Sequence, residues 1–197
     1  MFGSGRSTNK RAEARALGIL RRLDGTWSCS GCGRPHIGLP HLSVLAPDHW
    51  PGEKSYEPNS NLRFDGDFLS EDFCIIAGQH FFVRGVASLP ITGLEQPLAF
   101  GTWSTLSRAN FEQYVATFRS GRAAADQPAF GWFSNRLATF DDTLNTPCKV
   151  HFRPDSERPS FELVDSGTDF ERDQKEGISA VRVLSILDAY GHAPARE

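Results

Sequence analysis

Two cysteines and one histidine near the N-terminus have the spacing that most directly suggests chemistry. They lie in the segment Trp27-Ser-Cys29-Ser-Gly-Cys32-Gly-Arg-Pro-His36. Two thiols separated by two residues can point at one ion, and the glycine after the second thiol tolerates the backbone twist that brings amides toward the sulfurs. An imidazole four residues further on is a nitrogen ligand that suits zinc. The segment therefore predicts a zinc knuckle formed by Cys29, Cys32 and His36.

A closed zinc site needs a fourth protein ligand, and the sequence offers several. We favour Cys74, because it lies at the start of a predicted strand and has no other evident role. His41, His49, His80 and Cys148 stay open as candidates. Burial of the close cysteine pair as small apolar side chains is a competing interpretation. A redox role is disfavoured, since no βαβ pattern surrounds the pair.

A second cluster of charged residues flanks a predicted hairpin. Glu71 and Asp72 come directly before its first strand, and Arg84 lies within its second strand. If the strands pair around Gly78-Gln79, the acidic residues and the arginine lie close enough for an ion pair. Such a pair is usually structural. A pocket or catalytic role for these three residues is therefore the hypothesis that we favour less.

The composition bounds the class of protein. A chain of 197 residues suits one domain with a modest appendage, and 39% apolar residues with 15 phenylalanines supply a core. The 18 glycines and 12 prolines favour many turns and short strands over a helical bundle. Four cysteines, two of them three residues apart, do not resemble a disulfide scaffold. With no apolar run of membrane-spanning length and no signal-type stretch at the N-terminus, we expect a soluble, cytoplasmic protein without membrane association.

The N-terminal part is basic in an otherwise acidic chain. Residues 1–34 hold seven basic and two acidic residues, so this part carries +5, whereas the whole chain carries −3. A helix is predicted from about Thr8 to Leu23, because its apolar residues recur at i, i+3, i+4 and i+7. Its arginines gather on another face, which could contact phosphates or simply face solvent. We favour the second interpretation, because helix exteriors are routinely charged.

The remaining elements do not alternate regularly between strand and helix. A hairpin is predicted at Phe73–Ala77 and His80–Ala87, and a helix capped by Ser107 carries an apolar stripe. Further strands are predicted at 100–105, 131–133, 148–153 and 160–164, followed by one closing helix over 170–190.

This order of elements predicts an α+β fold with a mainly antiparallel sheet, helices packed on one face and the zinc knuckle at the N-terminal entry. We divide the chain into a disordered tail with a basic amphipathic helix (1–26), a single domain (27–190) and a C-terminal tail (191–197).

Several segments together resemble a bacterial family catalogued as domain of unknown function 2199. These segments are WSCSGCGRPHIGLP, APDHW, DFCIIAGQHFFVRGVASLPI, FGTWSTLSRANFEQY, FGWFSN, and RPSFEL with DQKEGIS. The resemblance covers about residues 27–190 and implies no activity. It implies a match at Cys29, Cys32, His36, Leu39-Pro40 and Cys74 but not at Cys148. Family members often carry a His-Pro-Leu-Ala-like segment where this chain has Gly167-Thr-Asp-Phe170, so any role of that histidine is lost here.

Three functions compete. We favour a non-catalytic binding or interaction module with a structural zinc ion, because a thiol-rich site normally leaves no open coordination position. The protein partner of such a module is unknown. A metal-dependent hydrolase with Glu71, Asp72, Arg84 or His80 in a pocket beside the hairpin would need water as one zinc ligand. Nucleic-acid binding through the basic helix is the third hypothesis, which the overall acidity of the chain disfavours.

Overall fold

The computed structural model describes residues 4–118, 120, 122, 126–155 and 157–194. The chain divides into two units. The first unit comprises Met1–Leu42, Leu89–Ala99 and Arg172–Glu197, and the second comprises Ser43–Ser88 and Phe100–Glu171. The boundaries predicted after residues 26 and 190 stay a prediction. None of the described helices is both long and apolar enough to cross a membrane.

Among the described secondary-structure elements, short strands outnumber helices. The helices are α1 (Ser4–Arg21), α2 (Arg108–Thr117), α3 (Asp169–Glu176) and α4 (Ala180–Ala189). The strands are β1 (Thr26–Ser28), β2 (Pro35–Ile37), β3 (Leu42–Ser43), β4 (Phe68–Leu69), β5 (Phe73–Ile76), β6 (His80–Leu89), β7 (Leu98–Leu106), β8 (Ala129–Phe133), β9 (Thr146–His151) and β10 (Ser160–Leu163). Short 3₁₀ turns cover Arg22–Asp24 and Asn59–Asn61.

Five strands close into a barrel, in the order β7-β8-β9-β10-β6 with β6 paired back to β7. The predicted α+β class is confirmed, but the simple antiparallel sheet with helices on one face is wrong. The sheet is mixed, because β10 pairs with β6 in parallel at Ser160↔Val86. The physical reason is the length of β6, whose first half pairs with β5 and whose second half pairs with β10. One long strand therefore joins the hairpin to the barrel, and closure removes open edges from the five strands.

In the second unit, the structure contains the hairpin and the helix start that local sequence patterns predict. The β5–β6 hairpin is confirmed, with a turn over residues 77–79 in which Ala77 and Gly78 have positive φ. The hydroxyl of Ser107 accepts from the backbone N–H of Asn110 and begins α2. Phe111 packs its ring on Phe73 and Phe81. The predicted end of this helix at Gly121 lies outside the described residues.

The first unit is built on the packing of α1 against α4. Each helix turns an apolar face inward, and the buried residues are Ala16, Leu20, Ala180, Val183, Ile186 and Leu187. The Glu13 carboxylate on α1 accepts from the backbone N–H groups of Ala180 and Val181, at 2.5 and 3.2 Å. It thus occupies the N-terminus of α4, where unpaired N–H groups and the helix dipole favour a negative charge.

The closing helix predicted over 170–190 is two helices. Gly177 has a φ of +78°, which ends α3 in the left-handed conformation that glycine adopts readily. Ile178 then donates its backbone N–H to the carbonyl of Pro90 at 2.8 Å. The hydroxyl of Ser179 accepts from the N–H of Arg182 and starts α4. The interruption sets the direction of α4, and hence the position of the residues that follow it.

Candidate metal centre

A small hairpin holds the predicted knuckle. Strands β1 and β2 pair antiparallel, with Trp27 opposite His36. In the connecting turn, the N–H of Cys29 donates to the carbonyl of Arg34 at 3.1 Å, and the N–H of Gly33 donates to the carbonyl of Cys29 at 3.0 Å. Gly33 has a φ of +70°, a conformation that costs glycine little. The hairpin therefore brings Cys29, Cys32 and His36 to one end of two paired strands.

The fourth side chain of the cluster is His192, which follows the C-terminus of α4. Gly191 has a φ of +73° and donates its N–H to the carbonyl of Asp188 at 3.0 Å. The N–H of His192 donates to the carbonyl of Leu187 at 2.8 Å. This pair of bonds is a Schellman motif, which terminates a helix and turns the chain back. The motif directs His192 away from the helix axis and toward the knuckle.

Backbone contacts hold the two segments together. Ser30 donates its N–H to the carbonyl of Ala193 at 2.9 Å, and Cys29 forms an isolated antiparallel bridge with Pro194. A Cβ atom on Gly31 would lie 2.1 Å from the carbonyl oxygen of Gly191, so only glycine permits this close approach. The C-terminal segment and the knuckle thus form one packed structure.

The four side chains are placed as ligands of a single ion. One ligand atom from each of Cys29, Cys32, His36 and His192 lies within 4.8 Å of all the others. The Cys32 Sγ and the His36 Nε2 are 3.1 Å apart. A tetrahedral zinc ion, with bonds of about 2.3 Å to sulfur and about 2.0 Å to nitrogen, would separate its ligand atoms by roughly 3.3–3.8 Å. Small side-chain movements therefore suffice for tetrahedral coordination, and the group could hold a metal ion.

The environment favours the protonation states that metal ligands require. Burial works to raise the pKa of Cys29, but the N–H groups of Cys32, Gly31 and Gly33 and the Cys32 side chain hold that pKa below its ordinary value. Burial, with a smaller contribution from the charge of His36, lowers the pKa of His192. A thiolate and a neutral imidazole are the forms that bind a metal.

Cys74, which the sequence favoured as the fourth ligand, is not among the residues that the structure brings together at the knuckle. It lies on β5 with no exposed surface, in an apolar cluster with Ala46, Leu69, Phe82 and Trp103. Burial, with a smaller contribution from the negative charge of Asp67, raises the pKa of its thiol. Cys74 thus packs as a small apolar side chain.

The remaining histidines and cysteine that could have supplied a fourth ligand are not members of the group either. His49 and His80 line a cleft of about 560 Å³ in the second unit, together with Trp132. Cys148 is buried on β9, with its Sγ 3.1 Å from the Ser104 hydroxyl. His41 is exposed and is not part of the group.

The charged residues beside the β5–β6 hairpin are bonded differently from the expected pairing. The carboxylates of Asp72 and Glu71 bond Arg158, at 2.9 and 3.3 Å. Arg84 is buried and donates instead to the Tyr56 hydroxyl at 3.0 Å, and to two backbone carbonyls. The arginine that pairs with the carboxylates comes from a segment 86 positions away in sequence. This cluster is a polar network within the second unit, in which Asp72 and Arg84 are buried and Glu71 is exposed.

Sequence reasoning missed His192, although one signal pointed to it. Tyr190-Gly191-His192 follows the apolar stripe of the closing helix, and a glycine there predicts a Schellman turn. A histidine directly after such a turn is placed on a chain that reverses direction. What the sequence does not reveal is which element it meets, because Cys29 and Gly191 are 162 positions apart.

The cysteines should differ sharply in reactivity toward an alkylating reagent. In metal-free protein we expect Cys32 to react first, because it is the exposed thiol, and bound zinc should protect it. Cys74 and Cys148 are buried, and burial raises the pKa of Cys148 to about 11, opposed in part by the Ser104 hydroxyl. At pH 7 only about one Cys148 thiol in ten thousand is then ionised. Mass spectrometry of labelled peptides measures this order, and equal labelling of all four cysteines would contradict it.

The fold and the site together define an α+β protein with a closed barrel and a candidate Cys₂His₂ metal centre. Residues 28–178 match the model of a family described as "Uncharacterized protein conserved in bacteria (DUF2199)", and the chain belongs to that family. The resemblance drawn from the sequence is thus confirmed. No curated protein and no solved structure matches the chain. The match includes the knuckle and ends before His192.

Proposed function

We propose that this protein binds one zinc ion through Cys29, Cys32, His36 and His192, and that the ion is structural in a non-catalytic interaction module. One observation carries the proposal. Two thiols and two imidazoles from distant parts of the chain place their ligand atoms within 4.8 Å of one another. A single metal ion bound by all four side chains would account for this convergence.

The donor set supports zinc over other ions. Two sulfurs and two imidazole nitrogens in a tetrahedral arrangement are typical of structural zinc sites. The N–H of Cys32 points at the Cys29 sulfur at 3.4 Å, as expected where a thiolate binds a metal. The Nδ1 atom of His192 is buried, and within the described chain it has no hydrogen-bond partner. Coordination through that atom would satisfy it.

Four protein ligands favour a structural role. Tetrahedral zinc with four side-chain ligands has no position for water or substrate, whereas a hydrolase needs one. The ion would also join the turn at residues 29–36 to the chain that follows α4. Such a link closes a long loop, where a cross-link removes much entropy from the unfolded chain. The same link would hold α1 and α4 in one arrangement, which suits a module that presents a surface.

Metal analysis with and without a chelator tests the proposal. Freshly prepared, reduced protein should contain one equivalent of zinc, and removal of the metal should lower the thermal midpoint and destabilise the fold by several kcal/mol. Absence of any bound metal would reject the site. Bound zinc whose removal leaves unfolding unchanged would reject the structural role but not the site.

A further inference from the structure

A continuous groove follows the packed helices of the first unit. Two adjoining depressions, of about 470 and 950 Å³, lie along α1 and α4. Both are lined by Arg15, Ile19 and Leu184, so they form one surface. It runs from Thr8 on α1 to Trp27, beside the knuckle, and we call it the helix groove.

The helix groove has an apolar floor and a basic rim. Ile19, Leu184 and Trp27 are half-buried along its length. Arg11, Arg15 and Arg22 line it with exposed side chains, and Asp188 is the single acidic residue among its described lining. This local charge is opposite to that of the whole chain, whose net charge is −3. The groove thus selects for a ligand that is both apolar and negatively charged.

Gly18 interrupts the arginine rim. Arg11, Arg15 and Gly18 lie at i, i+4 and i+7 of α1, and Arg22 continues this stripe at i+11, in the 3₁₀ turn that follows the helix. Glycine inside a helix costs about 1 kcal/mol relative to alanine. A Cβ atom there would meet only the Arg22 Nη1, at 3.9 Å, so packing within the described chain does not require glycine. The missing side chain leaves the α1 backbone open to close approach from the groove.

We propose that the helix groove binds an acidic amphipathic helix of a partner protein. This inference rests on the proposed interaction function and names the partner's chemistry. Apolar residues at i, i+3, i+4 and i+7 of the partner would pack on Ile19 and Leu184, beside the gap at Gly18. Flanking carboxylates would pair with the arginines, which span about 16 Å or three helical turns. Nucleic acid is disfavoured, because phosphates would use the arginines but leave the apolar floor uncovered.

Fluorescence anisotropy with a labelled model peptide tests this proposal on the zinc-loaded full chain. The peptide carries leucines at i, i+3, i+4 and i+7 flanked by glutamates, and a scrambled peptide of the same composition is its control. We expect saturable binding of the first peptide only. Gly18→Leu should fill the gap, and Arg15→Glu should reverse the rim charge, each weakening binding at least about tenfold. Lys54→Glu makes the same charge change at an exposed position of the other unit and should leave binding unchanged.

Each contrary result is informative. The thermal midpoint of Gly18→Leu should equal or exceed that of the parent chain, because leucine is the better helix former. If this midpoint is lower instead, Arg15→Glu alone tests binding at the helix groove. Absent binding, equal binding of the scrambled peptide, or binding that both variants leave intact would overturn the proposal. Tighter binding of a DNA duplex, weakened by Arg15→Glu, would replace it with nucleic-acid recognition. If the protein contains zinc but does not bind the peptide, the groove proposal alone is refuted. If the purified protein contains no zinc, the proposed function is refuted.

Discussion

Replacement of His192 by alanine is expected to abolish binding of the zinc equivalent and to remove the stability that the ion supplies. When free zinc is about a thousandfold above the dissociation constant, binding stabilises the folded state by about 4 kcal/mol. His192→Ala leaves three ligands and opens the fourth position, so the same zinc concentration no longer saturates the site. The free energy of unfolding of the variant should therefore be about 4 kcal/mol lower than that of the parent chain at that zinc concentration.

The difference should shrink to below about 1 kcal/mol in excess chelator, because neither protein then holds zinc and His192 is only partly buried. Denaturant unfolding of both proteins with zinc and with chelator measures this double difference. His41→Ala is the matched control, since His41 is an exposed histidine of the same unit and lies outside the cluster. A His192→Ala protein that kept a full equivalent of zinc and the parent stability would remove His192 from the site.

Cys74→Ala decides between the ligand that sequence reasoning favoured and the ligand that the structure places at the knuckle. On the present proposal this variant keeps one equivalent of zinc. It still loses some stability, because it removes a buried sulfur from the apolar cluster on β5. Loss of zinc from Cys74→Ala, with zinc retained by His192→Ala, would restore Cys74 as the fourth ligand.

The parts of the fold that sequence predicted well are those fixed by neighbouring residues. The spacing of Cys29, Cys32 and His36 needs only a turn and two short strands to bring the three side chains together. The start of α2 depends on a hydrogen bond between Ser107 and a residue three positions on. The β5–β6 hairpin depends on a turn of three residues. In each case the deciding interaction spans a few residues, so the local pattern contains it.

The features that sequence did not predict depend on partners far away in the chain. Closure of the barrel requires β6 to meet both β10 and β7, and no local pattern specifies that β10 pairs in parallel. β7 is buried along nearly its whole length, as expected of a strand that is covered on both faces. The partner of Asp72 is likewise set by the tertiary fold, because Arg158 is 86 positions away. Asn135 belongs to this second class, and sequence reasoning gave it no role.

Asn135→Ala is expected to lower the free energy of unfolding by about 3 kcal/mol, chiefly through lost hydrogen bonds. The Asn135 side chain has no exposed surface and makes three hydrogen bonds in the barrel unit. Its oxygen accepts from the N–H of Trp103 at 2.9 Å, and its nitrogen donates to the carbonyl of Ala46 at 2.9 Å and to Asp48 at 3.0 Å. Alanine leaves a buried N–H and a buried carbonyl without partners, and each costs about 1–3 kcal/mol.

The loss of stability in Asn135→Ala should come from the backbone groups that it leaves without hydrogen-bond partners. Two further variants separate that cause from the loss of side-chain volume. Asn135→Asp keeps the volume and the acceptor for Trp103 but replaces the donor with an oxygen that faces the Ala46 carbonyl, so it should destabilise by an amount similar to alanine. Asn110→Ala on α2 removes an amide with no partner among the described side chains and should change stability by less than about 0.5 kcal/mol. Denaturant unfolding at one zinc concentration compares the three. If Asn135→Asp were as stable as the parent chain, volume would be the cause, and the hydrogen bonds would not hold the segment at Ala46 against β7.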